Sequence, residues 1–176
     1  MNEKALKTLE YTKIRERLTA QALSPMGKEK CNELVPLDDL SEIIREQRET
    51  TEAVNMALKK GRLPLGGIKD IRSHLERAKA GGVLAIDELM AVGEFLYVCR
   101  KVKNYSKQEN KSDIFPVLED YFEIVKTINT VENEINRCIL NEQEVSDDAS
   151  SGLRAVRREI RNANGSIRDK LNSIIY

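Results

Sequence analysis

An all-α fold, a helical bundle leading into one long coiled-coil-like helix, follows from three features of this 176-residue sequence. Apolar residues recur at helical spacing along most of the chain. Five of the nine glycines (Gly61, Gly66, Gly67, Gly81 and Gly82) fall within 22 residues, so the turn chemistry is gathered in one place. Charged residues make up 33% and aromatic residues 5%, a mix suited to helices with one wet face. The only departure expected from helix is a short β-hairpin near 143–147.

Residues 3–22 carry Leu6, Leu9, Ile14 and Leu18 among charges and predict a first helix. Ser24-Pro25 restarts one, the hydroxyl capping and the proline at the first helical position, where its missing N–H is harmless. Pro36 closes it. Residues 38–60 predict a longer helix with a partly buried stripe at Leu40, Ile44, Gln47, Thr51, Val54 and Leu58, stopped by Gly61. After the corner Leu63-Pro64-Leu65-Gly66-Gly67 comes a helix over 68–80, with Ile71, Leu75 and Ala78 inward. Gly81-Gly82 makes the second corner. Residues 86–103 are apolar on most sides, the mark of a central helix. A polar stretch at 104–113 reads as a loop. Pro116 opens a helix to about 128, and another covers 130–140.

The segment from about 150 to 176 differs. Leu153, Val156, Ile160, Ala163, Ile167 and Ile174 follow a heptad with Leu171 alongside, confined to an arc of about 80° on the helical wheel. So narrow a stripe reads as a coiled-coil seam. It runs uncapped to Tyr176, which predicts a helix cut in mid-pattern and a chain that forms the N-terminal part of something longer. The expected division is a helical core over 1–145 and the start of a long lever helix over 146–176.

Formal net charge is zero, so nothing global points to nucleic acid or membrane. The balance hides an asymmetry: residues 131–150 hold six acids against one arginine, while 153–176 hold six Lys or Arg against two acids. Cys31, Cys99 and Cys138 are widely spaced with no Cys/His cluster, indicating packed, reduced thiols and neither zinc nor a disulfide framework. No stretch approaches a membrane span and no leader pattern opens the chain. A cytoplasmic protein without membrane partners is expected.

No phosphate loop, nucleophile elbow or metalloprotease motif is present, and His74, the one histidine, has no partner visible in the sequence. No catalytic, cofactor or metal residue is assigned. Two features carry functional alternatives. Gly66 and Gly67 precede a helix and suit either a tight apolar corner or an anion site built from free N–H groups; Gly81 and Gly82 read as a corner. Arg154, Arg157, Arg158, Arg161 and Arg168 share an arc of about 100° beside the seam. They suit either phosphate contacts to nucleic acid or a solvated coiled-coil flank paired with acids.

Leu9-Glu10-Tyr11 with Ile14, Ser24 with Gly27-Lys28-Glu29, Pro64-Leu65-Gly66-Gly67-Ile68 with Asp70-Ile71, and Gly81-Gly82-Val83-Leu84 with Glu88-Leu89 form an ordered series. It continues through Ile135–Ile139, Glu144-Val145, Asp148-Ala149-Ser150 and Leu153–Ile160. In that order and spacing the chain resembles the N-terminal region of the second bacterial MutS family, endonuclease-type MutS homologues ending in an Smr domain. The resemblance spans essentially the whole chain; Asn141-Glu142-Gln143-Glu144 departs from the acidic-Gly turn expected there. It implies a core that leads into a lever, with no mismatch-reading or connector domain ahead of it. For the parent it implies ATP and Mg²⁺, a homodimer, and branched or double-stranded DNA or a ribosome as partner. The ATPase and nuclease residues have no counterpart here. The expected function is structural: transmission of nucleotide-dependent motion in anti-recombination or rescue of collided ribosomes. The alternative is a stand-alone helical module for protein–protein interaction or dimerisation.

Overall fold

The computed structural model describes residues 3–107 and 115–175, and they are mostly helical. The elements run α1 (Glu3–Thr8), α2 (Tyr11–Gln21), α3 (Pro25–Glu33), α4 (Leu40–Lys60), α5 (Arg72–Lys79), α6 (Ile86–Ser106), α7 (Pro116–Ile124), α8 (Asn129–Cys138), β1 (Ile139–Asn141), β2 (Glu144–Val145), a 3-10 turn (Asp147–Ala149) and α9 (Ser151–Ile175). Of the loop expected over 104–113, residues 104–106 form the last turn of α6, and 108–113 lie outside the described residues. No described helix is long and apolar enough to cross a membrane.

Local chemistry sets several boundaries. Ser24 Oγ accepts the N–H of Gly27 at 3.0 Å, and Asp39 Oδ1 accepts that of Glu42 at 2.9 Å, each satisfying an orphan donor of a first turn. The Ser41 hydroxyl, which also donates to Asp39, and then the Glu42 N–H hold the Asp39 carboxyl below its usual range. The single helix expected over 3–22 is broken at Glu10, whose φ of 52° places it in the left-handed region. The hairpin expected near 143–147 forms slightly earlier, with Ile139 opposite Val145 and Asn141 opposite Glu144.

The central helix is α6. Its Ala91, Leu96, Val98 and Val102 are buried together with Met56, Ile71 and Phe115, and α8 and α7 pack against it. Gly93 faces α8 so closely that a Cβ there would stand 3.1 Å from Ile135 Cγ2. The reading of α4 is corrected. Its apolar stripe points outward, with Leu40 and Leu58 more than two-thirds exposed, and the helix instead turns Met56, Glu52 and Glu49 inward. Glu52 Oε2 explains the choice: it accepts Val117 N–H at 3.0 Å and Leu118 N–H at 3.2 Å, capping the first turn of α7 from a neighbouring helix. On α5, Ile71 is buried but Leu75 is 51% exposed, so the inward face is narrower than its spacing implies.

The total accessible surface is 13648 Å². A compact monomer of this mass exposes about 8,700 Å². Long apolar faces on α2, α4 and α9 account for this open character, since Ile14, Leu18, Ile44, Val54, Ile160 and Ile167 all stand half-exposed.

The two glycine corners are built differently from their sequence likeness. Gly66 and Gly67 are exposed, and a Cβ at either meets nothing within 4 Å, so this corner faces solvent; Leu63, Pro64 and Leu65 are half-buried behind it. Only Gly67 has positive φ, at +84°. Gly67→Ala therefore costs about 1–2 kcal/mol from backbone strain. Gly66→Ala is neutral or stabilises by up to about 1 kcal/mol through the unfolded chain. Thermal unfolding of the two variants side by side checks the asymmetry.

Candidate functional site

The arginine stripe of α9 meets the acidic turn that precedes it. Arg157 Nη1 donates to Asp147 Oδ1 at 2.5 Å and to the Val145 carbonyl at 2.7 Å. Arg161 Nη1 reaches Asp147 Oδ2 at 3.2 Å, and Arg154 pairs with the Asp148 carboxylate. On the other side Arg137 of α8 donates to the Asp148 carbonyl and holds Glu134 through Nε at 2.9 Å and Nη2 at 2.6 Å. The Arg157 guanidinium, with Arg161 behind it, keeps the Asp147 carboxyl below the ordinary range.

The backbone of this joint is tied as firmly. Ser146, 8% exposed, donates its N–H to the Cys138 carbonyl at 2.8 Å, and its hydroxyl oxygen accepts Asp148 N–H at 3.1 Å. Ser150 Oγ accepts Leu153 N–H at 3.1 Å, capping α9. The hairpin, the turn and the ends of α8 and α9 thus form one anchored base. Single exposed ion pairs stabilise little, but this network shares its acids among four arginines on two helices.

Of the five arginines singled out in the sequence, the structure brings Arg154, Arg157 and Arg161 together on the acidic turn. Arg158 and Arg168 stand exposed, without an ion pair among the described residues. Beyond the base the seam is bare: Val156, Ile160, Ile167 and Leu171 are each a little over half exposed and Ile174 is 79% exposed.

The glycine corners lead into two further clusters. Asp70, just after Gly66-Gly67, accepts the N–H of Arg72 at 3.0 Å and receives its guanidinium. That guanidinium also grips Glu29 on α3, at 2.9 and 2.8 Å. This clamp ties the α2–α3 hairpin to α5. Beside Gly81-Gly82, Glu88 is nearly buried and accepts from Arg77 Nη1 at 2.9 Å and from Ala85 N–H at 2.9 Å. His74 Nδ1 lies 3.2 Å from Glu88 Oε1, out of line for a hydrogen bond, so the lone histidine has a carboxylate neighbour after all. A Cβ on Gly82 would meet Arg77 Cγ at 2.7 Å, and the second corner is therefore the tightly packed one.

Hydrogen bonds from the Arg72 side chain, then from its backbone, lower the Asp70 carboxyl to about 2. A depressed folded-state value makes the Asp70–Arg72 bond fully effective above the ordinary aspartate range, near pH 4, and lost as pH falls through about 2. Acid titration followed at the Asp70 carboxyl carbon by NMR is expected to place its midpoint in that window. A midpoint at the ordinary value excludes the bond.

Sequence reasoning missed the buried acids. Glu132, 3% exposed, pairs with Arg100 through Oε1 at 2.8 Å to Nη2 and Oε2 at 3.1 Å to Nε, joining α8 to α6. Its spacing from Ile135 and Ile139, three and then four residues, places it on the inward face of α8 and is the signal that identifies it. Cys31, Cys99 and Cys138 are free and half-buried, and burial raises the Cys99 thiol. Among the described residues no group of three His, Cys, Asp or Glu is placed to hold a metal ion.

No family model matches the chain. Individual proteins do, along nearly all of it. An Endonuclease MutS2 of Lachnoclostridium phytofermentans is 42% identical over 180 residues, covering 99% of this chain and 23% of that protein. Those of Alkaliphilus oremlandii and of Clostridium botulinum strain Alaska E43 are 38% and 41% identical over 175 residues, 99% of this chain and 22% of each relative. The chain thus spans less than a quarter of the length of the relatives it matches. With identity of this order sustained from end to end in each of them, the chain belongs to the endonuclease MutS2 family.

Proposed function

We propose that this chain is the core and the lever base of a MutS2 polypeptide, positioning α9 so that motion at one end is carried to the other. The supporting observation is the anchored base: α9, roughly 37 Å long at 1.5 Å per residue, starts from a turn whose acids hold Arg154, Arg157 and Arg161. A helix fixed at its root moves as a rigid body with the helices it is fixed to. The open apolar faces support the same reading, because they suit a segment that is enclosed by the rest of a larger protein.

The division into a core over 1–145 and a lever over 146–176 belongs to this reading. So do the parent's homodimer, its action on branched or double-stranded DNA or on ribosomes, and its cytoplasmic setting. ATP and Mg²⁺, implied for the parent, do not fit the residues of this chain, which carry no phosphate loop and, among those described, no metal-ligating group. A DNA contact along the whole arginine stripe has to displace Asp147 and Asp148, and so competes with the anchor.

The test is to free the base without touching anything else. In a full-length MutS2 carrying this segment, Asp147→Asn with Asp148→Asn is expected to leave ATP hydrolysis within about twofold. The difference in DNA affinity between nucleotide states should fall by about tenfold, the scale of a typical coupling energy. An unchanged difference removes the lever reading and leaves the helical interaction module in its place.

A further inference from the structure

The α2–α3 hairpin holds together by itself. α2 packs against α3, and α1 against α2. Thr19 Oγ1 donates to Asn32 Oδ1 at 3.0 Å across the pair. Neither α2 nor α3 contains a buried residue. Residues 34–39 lead from the hairpin to α4 outside any helix or strand. Pro36 bars the helical turn that would splice α3 to α4, so the connection is a short tether.

One polar tie crosses from the hairpin to the core. Arg72 Nη2 donates to both carboxylate oxygens of Glu29, at 2.9 and 2.8 Å. Among the described residues, α2 and α3 make no other hydrogen bond or ion pair to anything beyond the tether. Asp70 braces the same guanidinium from the core side, its two oxygens each 3.0 Å from Nε. Arg72 therefore keeps its place with or without Glu29, and Glu29 is the half that can leave. The two side chains are 59% and 52% exposed, and an exposed pair shifts an equilibrium by no more than about fivefold. We propose that residues 3–33 form a hinged arm, latched to α5 by Glu29 on Arg72 and free to swing about residues 34–39 when that pair opens. Raised ionic strength, or an anion competing for Arg72, opens it.

This arm is independent of the lever reading, and its test leaves α9 untouched. In the chain with Cys31, Cys99 and Cys138 replaced by serine, spin labels at Arg17→Cys and Glu76→Cys measure arm to core. Labels at Arg17→Cys and Lys30→Cys measure the arm within itself. Double electron–electron resonance at low salt is expected to give one dominant arm-to-core distance. Glu29→Gln should raise the population outside that peak by about fivefold, and high salt should do the same without the substitution. The within-arm distance should stay narrow throughout. An arm-to-core distribution unmoved by Glu29→Gln would overturn the proposal, because the hairpin is then fixed by other means. A within-arm distance that broadens together with it would also overturn it, because the hairpin then unfolds and does not swing.

Discussion

Arg100→Met is expected to lower the urea midpoint of unfolding by roughly 1–2 M, while Glu132→Leu with Arg100→Met is expected to restore most of it. The two variants differ only in whether a carboxylate is left behind. Glu132 is 3% exposed on α8 and receives two bonds from the Arg100 guanidinium on α6. Removing the arginine strands the charge, and an uncompensated carboxylate at this depth costs about 3 kcal/mol. Removing both partners replaces the ion pair with apolar contact of similar volume, which is often neutral. Arg100 also stacks over the Tyr97 ring, 5.1 Å from its centroid. The Met stem keeps some of that contact, so the midpoint shift reports mainly the orphaned acid. If the double variant is no more stable than Arg100→Met, the pair does not join α6 to α8 in solution.

Local signals were readable wherever a residue acts on its own backbone. Ser24, Pro25 and Pro116 mark helix starts because a cap or a missing N–H works within three residues. The α6 pattern was readable for a different reason: a helix apolar all round has nowhere to go but the centre. The face of α4 was not. Its apolar stripe and its 49–52–56 stripe both have helical spacing, and the second is buried because Glu52 caps a helix 65 residues further on. Periodicity shows that a face exists, and only the neighbour decides whether it is covered. The same limit applied to the arginine stripe. Its charge and arc were plain in the sequence, but whether phosphates or acids would meet it depended on the 3-10 turn bringing Asp147 and Asp148 against α9. The glycine cluster was legible as turn chemistry, yet only Gly67 and Gly81 of its two pairs need left-handed backbone.

Gly93→Leu should be the most damaging glycine substitution in the chain, costing about 2–3 kcal/mol, although it lies outside the glycine cluster. Gly93 sits in mid-helix, buried, and a Cβ would stand 3.1 Å from Ile135 Cγ2 on α8. A full side chain there has to push α8 away, and with it Glu132, whose pair with Arg100 spans the same seam. Gly93→Ala tests the contact more finely. Alanine gains about 1 kcal/mol of helix propensity over glycine, and the 3.1 Å contact offsets it, so the single variant should lie within about 0.5 kcal/mol of the parent. Ile135→Leu moves the branch point from Cβ to Cγ and removes Cγ2. In that background Gly93→Ala should gain up to about 1 kcal/mol, and the double-mutant cycle isolates the contact. The consequence reaches α9. Arg137, Cys138 and the hairpin that anchor α9 all follow from α8, so the α6–α8 seam fixes the root of the long helix to the core. Gly93→Leu should therefore also speed amide exchange at Ser146 and Asp148, eleven and thirteen residues beyond Ile135. Loss of stability with exchange unchanged at that base would mean the seam and the anchor are independent.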